Sequence, residues 1–396
     1  MRAILDRYAA YWRAPGASRF ISLSLFTRLP LGTVALATLL HVRELTGSIA
    51  FAGGMVGVQM VAAAVTSPLL GRWIDRRGPG PALVVTGILS PLAMVVVLFA
   101  DELGLSRVAL LAAAALIGAV LPPITVLTRA LLRHRFADEA LRRLAFAVDS
   151  VLLELGYTIG PALIAVAVAL ASPRVAYAVA LACTAASVPL LALSGGLAWW
   201  RREPPGERHF LGPLTEPRLL ALYAATFALT MSFGALEVGY PGFAGAVASA
   251  AWGPALVAIN SVGSATGGLL YGGLQFRLPL ERQLPRIVAV LALPVALHAL
   301  VGAPWPLVPL AFAAGFLIAP AMTVVTLLVA RVAPPRYATE AFTWSATAIV
   351  TGVGAGMAAG GALIERAGWP AAFLYASASA LVAAALALRL RSLGRR

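Results

Sequence analysis

The chain has 396 residues, 60% of them hydrophobic and 12% charged, with a mean hydropathy of +0.89; that is too little polar surface to cover a soluble globule, so lipid must be most of its solvent. The formal charge of +14 comes from 30 basic and 16 acidic residues, and every basic residue is an arginine, so a P-loop and a lysine Schiff base are both excluded. The arginines lie between apolar runs, which excludes a nucleic-acid-binding module, and the single Cys183 excludes an intramolecular disulfide.

The first stretch, MRAILDRYAAYWRAPGASRF, places four arginines ahead of the first long apolar run and shows no small-residue cleavage site, so it is expected to be retained and cytoplasmic. Apolar runs long enough to cross a core about 30 Å thick then recur along the chain. They predict spans near 20–42, 49–70, 81–100, 107–128, 144–170 and 174–198, then 217–239, 250–274, 286–302, 304–330, 341–364 and 370–388. With the N-terminus inside, 25 arginines fall on the cytoplasmic side and four (Arg43, Arg107, Arg174, Arg366) on the other. Cationic residues beside a span resist translocation, so both termini are expected in the cytoplasm.

The widest polar interruption, from Trp199 to Arg218, is rich in proline and charge and reads as a linker. It divides the chain into 1–198, a linker 199–216, and 217–396. The two sides match: Gly156 and Gly160 recur as Gly356 and Gly360, Leu69-Leu70 as Leu269-Leu270, and Gly118 with Pro123 as Gly315 with Pro320. A duplicated six-span unit whose copies share one orientation is the parallel repeat, related by an axis along the membrane normal.

Between the second and third spans stands GRWIDRRG, Gly71 to Gly78. Its Gly71, Asp75, Arg76 and Gly78 resemble the loop signature of the major facilitator superfamily, with Pro79 and Gly80 in place of the usual basic pair. Gly156, Gly160 and Pro161 in the fifth span resemble the glycine-proline motif of the proton-coupled exporters in that superfamily, except that Ile164-Ala165 stand where a glycine pair is expected. The resemblance implies an all-α fold of twelve transmembrane helices in two six-helix bundles, with spans one, four, seven and ten lining a cavity. It also implies that Asp75 latches the cytoplasmic side against the start of the eleventh span, near Thr339-Glu340.

Ionisable residues inside spans cost about 2.5 to 3.5 kcal/mol each even on the gentler insertion scale, so each is a site candidate. They are Arg28 in span one, Asp149 and Glu154 in span five, and Glu237 toward the end of span seven. Arg28 and Glu154 fall at similar depth and are paired as a hypothesis; Arg129 or Arg143 is placed to reach Asp149. A carboxylate binds its proton more tightly when buried and less tightly beside an arginine, which suits a coupling group whose surroundings change. His41 and His298 stand near span ends without metal-ligand spacing.

The expected function is a secondary transporter working by alternating access, driven by a proton gradient and exporting small amphipathic compounds. A carrier of a defined metabolite, a sugar or an organic anion, is the alternative, and a non-transport scaffold a remote one; no enzyme motif is present. No cofactor, metal, nucleic acid or obligate protein partner is expected. The expected surroundings are a lipid bilayer, the bacterial-type inner membrane, and a small-molecule substrate.

Overall fold

The computed structural model describes residues 9, 11–201, 212–247, 252–274 and 276–392; residues 1–8 and 10 of the N-terminal stretch, the middle of the linker with Arg202, and the last four residues lie outside them. Twelve helical segments occupy the predicted spans: Ala17–Thr46, Ile49–Arg77, Pro79–Leu98, Arg107–Arg135, Glu139–Leu170, Pro173–Leu193, Pro217–Val247, Trp252–Gly273, Leu280–His298, Pro304–Val332, Ala338–Ala367 and Trp369–Ser392. Among the described residues, ten are long and apolar enough to cross a membrane. Glycine, serine and asparagine dilute span eight, and Glu281, Arg282 and Arg286 crowd the start of span nine.

Serine hydroxyls at Ser48, Ser106 and Ser172 accept from the third amide onward and cap spans two, four and six. Several helices run past their predicted ends through arginine-bearing turns, because hydropathy marks the apolar middle while arginine stems continue along the helix with their charges outward. The GRWIDRR segment is accordingly the last turns of span two and not a loop. Gly78 alone, at φ 85°, separates it from span three, a backbone conformation that L side chains rarely adopt.

Two spans are interrupted. Span one breaks at Arg28 into Ala17–Thr27 and Leu29–Thr46; the Arg28 amide bonds Leu25 O and the Leu31 amide bonds Arg28 O, tightening the chain just where Pro30 removes a donor. Span four breaks between Ala119 and Ile124, because Pro123 drives Pro122 out of the helical region. Pro320, at the repeated position, has no proline before it and stays inside the continuous span ten.

By packing, the chain forms two compact units, one of residues 10–135 with 152–205, the other of 136–151 with 206–396. Within the first, span one packs on six, two on four and three on six; within the second, seven packs on twelve, eight on ten and nine on twelve. The same pairings thus recur six spans later. The first unit is centred on Val34, Ala37, Met55, Met94, Ile117 and Tyr177. Its outward stripe on span three, Val84, Ile88, Leu92 and Val95, is exposed and apolar, the opposite of a soluble helix and the pattern lipid requires.

Candidate functional site

Among the described residues, Arg28 is the largest fully buried side chain, 1% exposed. The break in span one places it: as the residue between two helices it sits at φ −99°, ψ −7°, and its Nη1 donates to Ser24 O at 3.1 Å. Span five holds it from the other side. An added Cβ on Gly156 would lie 3.3 Å from the Arg28 Cβ; one turn on, a Cβ on Gly160 would lie 2.6 Å from the Gly32 Cα, and one on Gly32 would lie 2.5 Å from Gly156 O. Two glycines four apart on span five and Gly32 on span one let the two backbones touch. The Gly156, Gly160 and Pro161 motif therefore forms a seat for the buried arginine, and Pro161 lies within an unbroken helix.

The repeat builds the same joint in the second unit, where Gly356 meets Met231 O and a Cβ on Gly360 would lie 3.1 Å from the Ala235 Cα. Arg28 thus occupies the place that Met231 fills on the other side of the repeat. Glu154 is half-buried on span five, and the Thr158 hydroxyl donates to its backbone carbonyl at 3.0 Å. Asp149 is 2% exposed. At 100° per residue, Asp149, seven before Gly156, shares the glycine face, whereas Glu154, two before it, points well away from that face. Glu237 is exposed on span seven, Asp75 is buried at the end of span two beside an exposed Arg76, and Gly71 is buried. Glu340 is fully buried at the start of span eleven, with Gly212 so close that an added Cβ would lie 2.6 Å from its Oε1.

Each unit also carries a buried polar cluster, around His41 in the first and His298 in the second. In the second, His298 Nδ1 lies 2.6 Å from Pro294 O, which assigns the proton to Nδ1; the Tyr240 hydroxyl then donates to Nε2 at 3.4 Å. Asn260 Nδ2 donates to Tyr240 Oη at 3.3 Å and to Ala311 O at 3.0 Å. In the first, His41 stacks on Tyr177 with ring centroids 5.0 Å apart, its Nε2 3.3 Å from Val97 O, and Gln59 Nε2 donates to Thr38 Oγ1 at 3.4 Å. Lone polar residues in apolar runs leave no spacing signature. The signal that finds them is the repeat itself: Gln59 and Asn260 stand 201 apart, and Gly118 and Gly315 press against their backbone carbonyls.

An apolar groove of about 840 Å³ lies between spans two and four, lined by Gly57, Val61, Val65, Ala115 and Leu116. Its polar point is Thr66, whose hydroxyl lies 2.8 Å from Ala62 O and 2.9 Å from Ala119 O, beside the break in span four.

The family model described as Major Facilitator Superfamily matches residues 21–348. Over 111 residues the chain is 38% identical to the multidrug resistance protein MdtG of Klebsiella pneumoniae (strain 342), covering 26% of each protein, and equally to that of Salmonella arizonae, covering 26% and 27%. The chain thus matches about a quarter of the length of these curated relatives. Among solved structures it is similar to a bacterial homologue of the iron transporter ferroportin in an outward-facing state (TM-score 0.79, 13% identity, 95% of this chain and 99% of that one). It is also similar to the human organic anion transporter MFSD10 (0.69, 19%, 95% and 100%) and to the transporter FucP in the outward conformation (0.73, 14%, 96% and 99%). At such identities these structures show the fold alone. With the model matching most of the chain, this chain belongs to the Major Facilitator Superfamily, a family of transporters and not of enzymes.

Proposed function

We infer that this transporter is a proton-coupled exporter of small amphipathic compounds, working by rocking of the halves 1–198 and 217–396 in the plasma membrane with both termini cytoplasmic. The observation that carries the reading is the fully buried Arg28, set in a broken span and gripped by the glycines of span five. A buried cation is costly, and the second unit makes the same joint with a methionine, so packing alone gives it no purpose. Glu154, on the same helix as the gripping glycines, is the proposed proton carrier. The 111-residue likeness to a multidrug resistance protein supports the substrate class.

The test is transport in proteoliposomes with an imposed pH gradient over a panel of amphipathic compounds. Movement of one or more of them that collapses with the gradient is expected; a panel that moves equally without the gradient overturns proton coupling. Glu154→Gln should bind substrate yet no longer move protons with it, since the amide mimics a permanently protonated carboxyl. Should that variant pump at the wild-type rate, the coupling role passes to Asp149 or Glu237.

Arg28 also favours the second reading, a carrier of an organic anion, because a buried guanidinium is a ready partner for a carboxylate. Competition of anionic compounds for uptake, lost in Arg28→Met, distinguishes it. The cytoplasmic latch is proposed from the motif: Asp75→Asn should insert and fold normally while slowing transport at least about tenfold, the size of a coupling loss of about 1.4 kcal/mol.

A further inference from the structure

The first turns of span five belong by sequence to the first half of the chain, yet residues 136–151 pack with 206–396. Three contacts fix them there. Phe146 meets Phe342 of span eleven edge-on with centroids 6.3 Å apart. Val151 Cγ2 would lie 3.5 Å from a Cβ added at Gly268 of span eight. The third joins Arg143, 7% exposed, to the turn between spans eight and nine: its guanidinium carbon stands 5.8 Å from the centroid of Tyr271 and 5.6 Å from that of Phe276.

This aromatic pair is built to hold a cation. The Tyr271 and Phe276 rings stack with centroids 4.8 Å apart and planes at 23°, and the guanidinium stands nearly equidistant from both. The Tyr271 hydroxyl donates to Gln283 Oε1, and Gln283 Nε2 donates to Leu278 O, which ties the ring to the start of span nine. Glu139 lies 3.7 Å from Arg143 Nη2, on the same helix one turn earlier. The turn sits at the repeated position of the span two–three motif: Gly272 and Arg277 stand 201 residues after Gly71 and Arg76, and Phe276 stands where the first copy has Asp75. The carboxylate of one copy is thus an aromatic ring in the other.

We propose that the end of span eight and the turn after it form a cation–π latch in which Tyr271 and Phe276 hold Arg143, fastening the start of span five to the second half of the chain and releasing it in the alternate transport state. A desolvated cation–π pair shifts a two-state balance by roughly tenfold. Arg143 is a positioning residue here and touches no substrate, so the latch stands or falls independently of proton coupling and of substrate identity.

The experiment uses the full chain in lipid nanodiscs with Cys183 replaced by alanine and spin labels on cysteines at the exposed positions Ala137 and Arg282. Distances measured by double electron–electron resonance should show one dominant short population in the parent. Arg143→Gln and Phe276→Leu should each enlarge the longer-distance population about tenfold, while the double variant goes no further than either single one. Phe276→Trp should restore the short population, and Tyr271→Phe, which keeps the ring, should leave it in place. Phe276 is 38% exposed, so its leucine variant is expected to fold, and Arg143→Lys gives a second, charge-preserving check with an intermediate shift. Parent-like distances in both Arg143→Gln and Phe276→Leu, or fully additive shifts in the double variant, overturn the latch.

Discussion

Replacing Arg28 by methionine places in the first half the residue type that the second half uses at the same joint. Replacing a whole buried ion pair by apolar groups is often neutral, whereas removing one member leaves its partner uncompensated, so the melting temperature in detergent should fall while the chain still folds, and transport should fall at least about tenfold if the charge is functional. Loss of folding with loss of transport would make Arg28 a structural element only. Asp149 gives a complementary test. It shares the glycine face of span five and is nearly fully buried, so Asp149→Asn should lower stability more than Glu154→Gln, whose site is half-exposed; comparing thermal unfolding of the two variants checks the ranking. The sequence singled out both carboxylates by their cost, but only helical phase relative to Gly156 separates them. Their roles in coupling rest on that proposal alone.

At the scale of the helices, closely packed glycines decide what the fold tolerates. An added methyl on Gly118 or Gly315 meets the carbonyl of Gln59 or Asn260 well inside van der Waals contact, whereas one on Gly57 or Gly361 meets open space. Gly118→Ala and Gly315→Ala should therefore each cost on the order of 1–3 kcal/mol by overpacking, and Gly361→Ala about nothing, measured as melting temperature or yield of folded protein. The turn from span three to span four supplies a control in pH. The Glu102 carboxyl is held below its ordinary value by a backbone hydrogen bond first and by the Arg174 guanidinium 2.5 Å away second. A depressed carboxylate contributes above its unfolded value and loses that contribution as pH falls through the folded value. The pair is exposed, so Glu102→Gln should leave melting at neutral pH unchanged within error. A clear drop would show the turn to be a stability element.

Across the whole molecule, the arginine distribution predicts that a reporter fused to the C-terminus and a label at position 202 are both read from the cytoplasmic side; periplasmic labelling of either would sink that topology. What the sequence by itself determined is the part that rests on the solvent and on local chemistry. Apolar runs placed the twelve spans, and paired glycines 200 residues apart announced two copies of one packing scheme. These signals are local or periodic, so they survive in one dimension. Tertiary structure alone decided which glycine meets which backbone and that Asn260, Tyr240 and His298 form one hydrogen-bonded chain. It also decided that Arg143 turns to an aromatic pair more than a hundred residues away. The reason is physical: in lipid, apolar side chains gain little by choosing one neighbour over another, so partners are selected by close backbone approach and by the need of each buried polar group to be satisfied, and both depend on distances that no stretch of sequence contains.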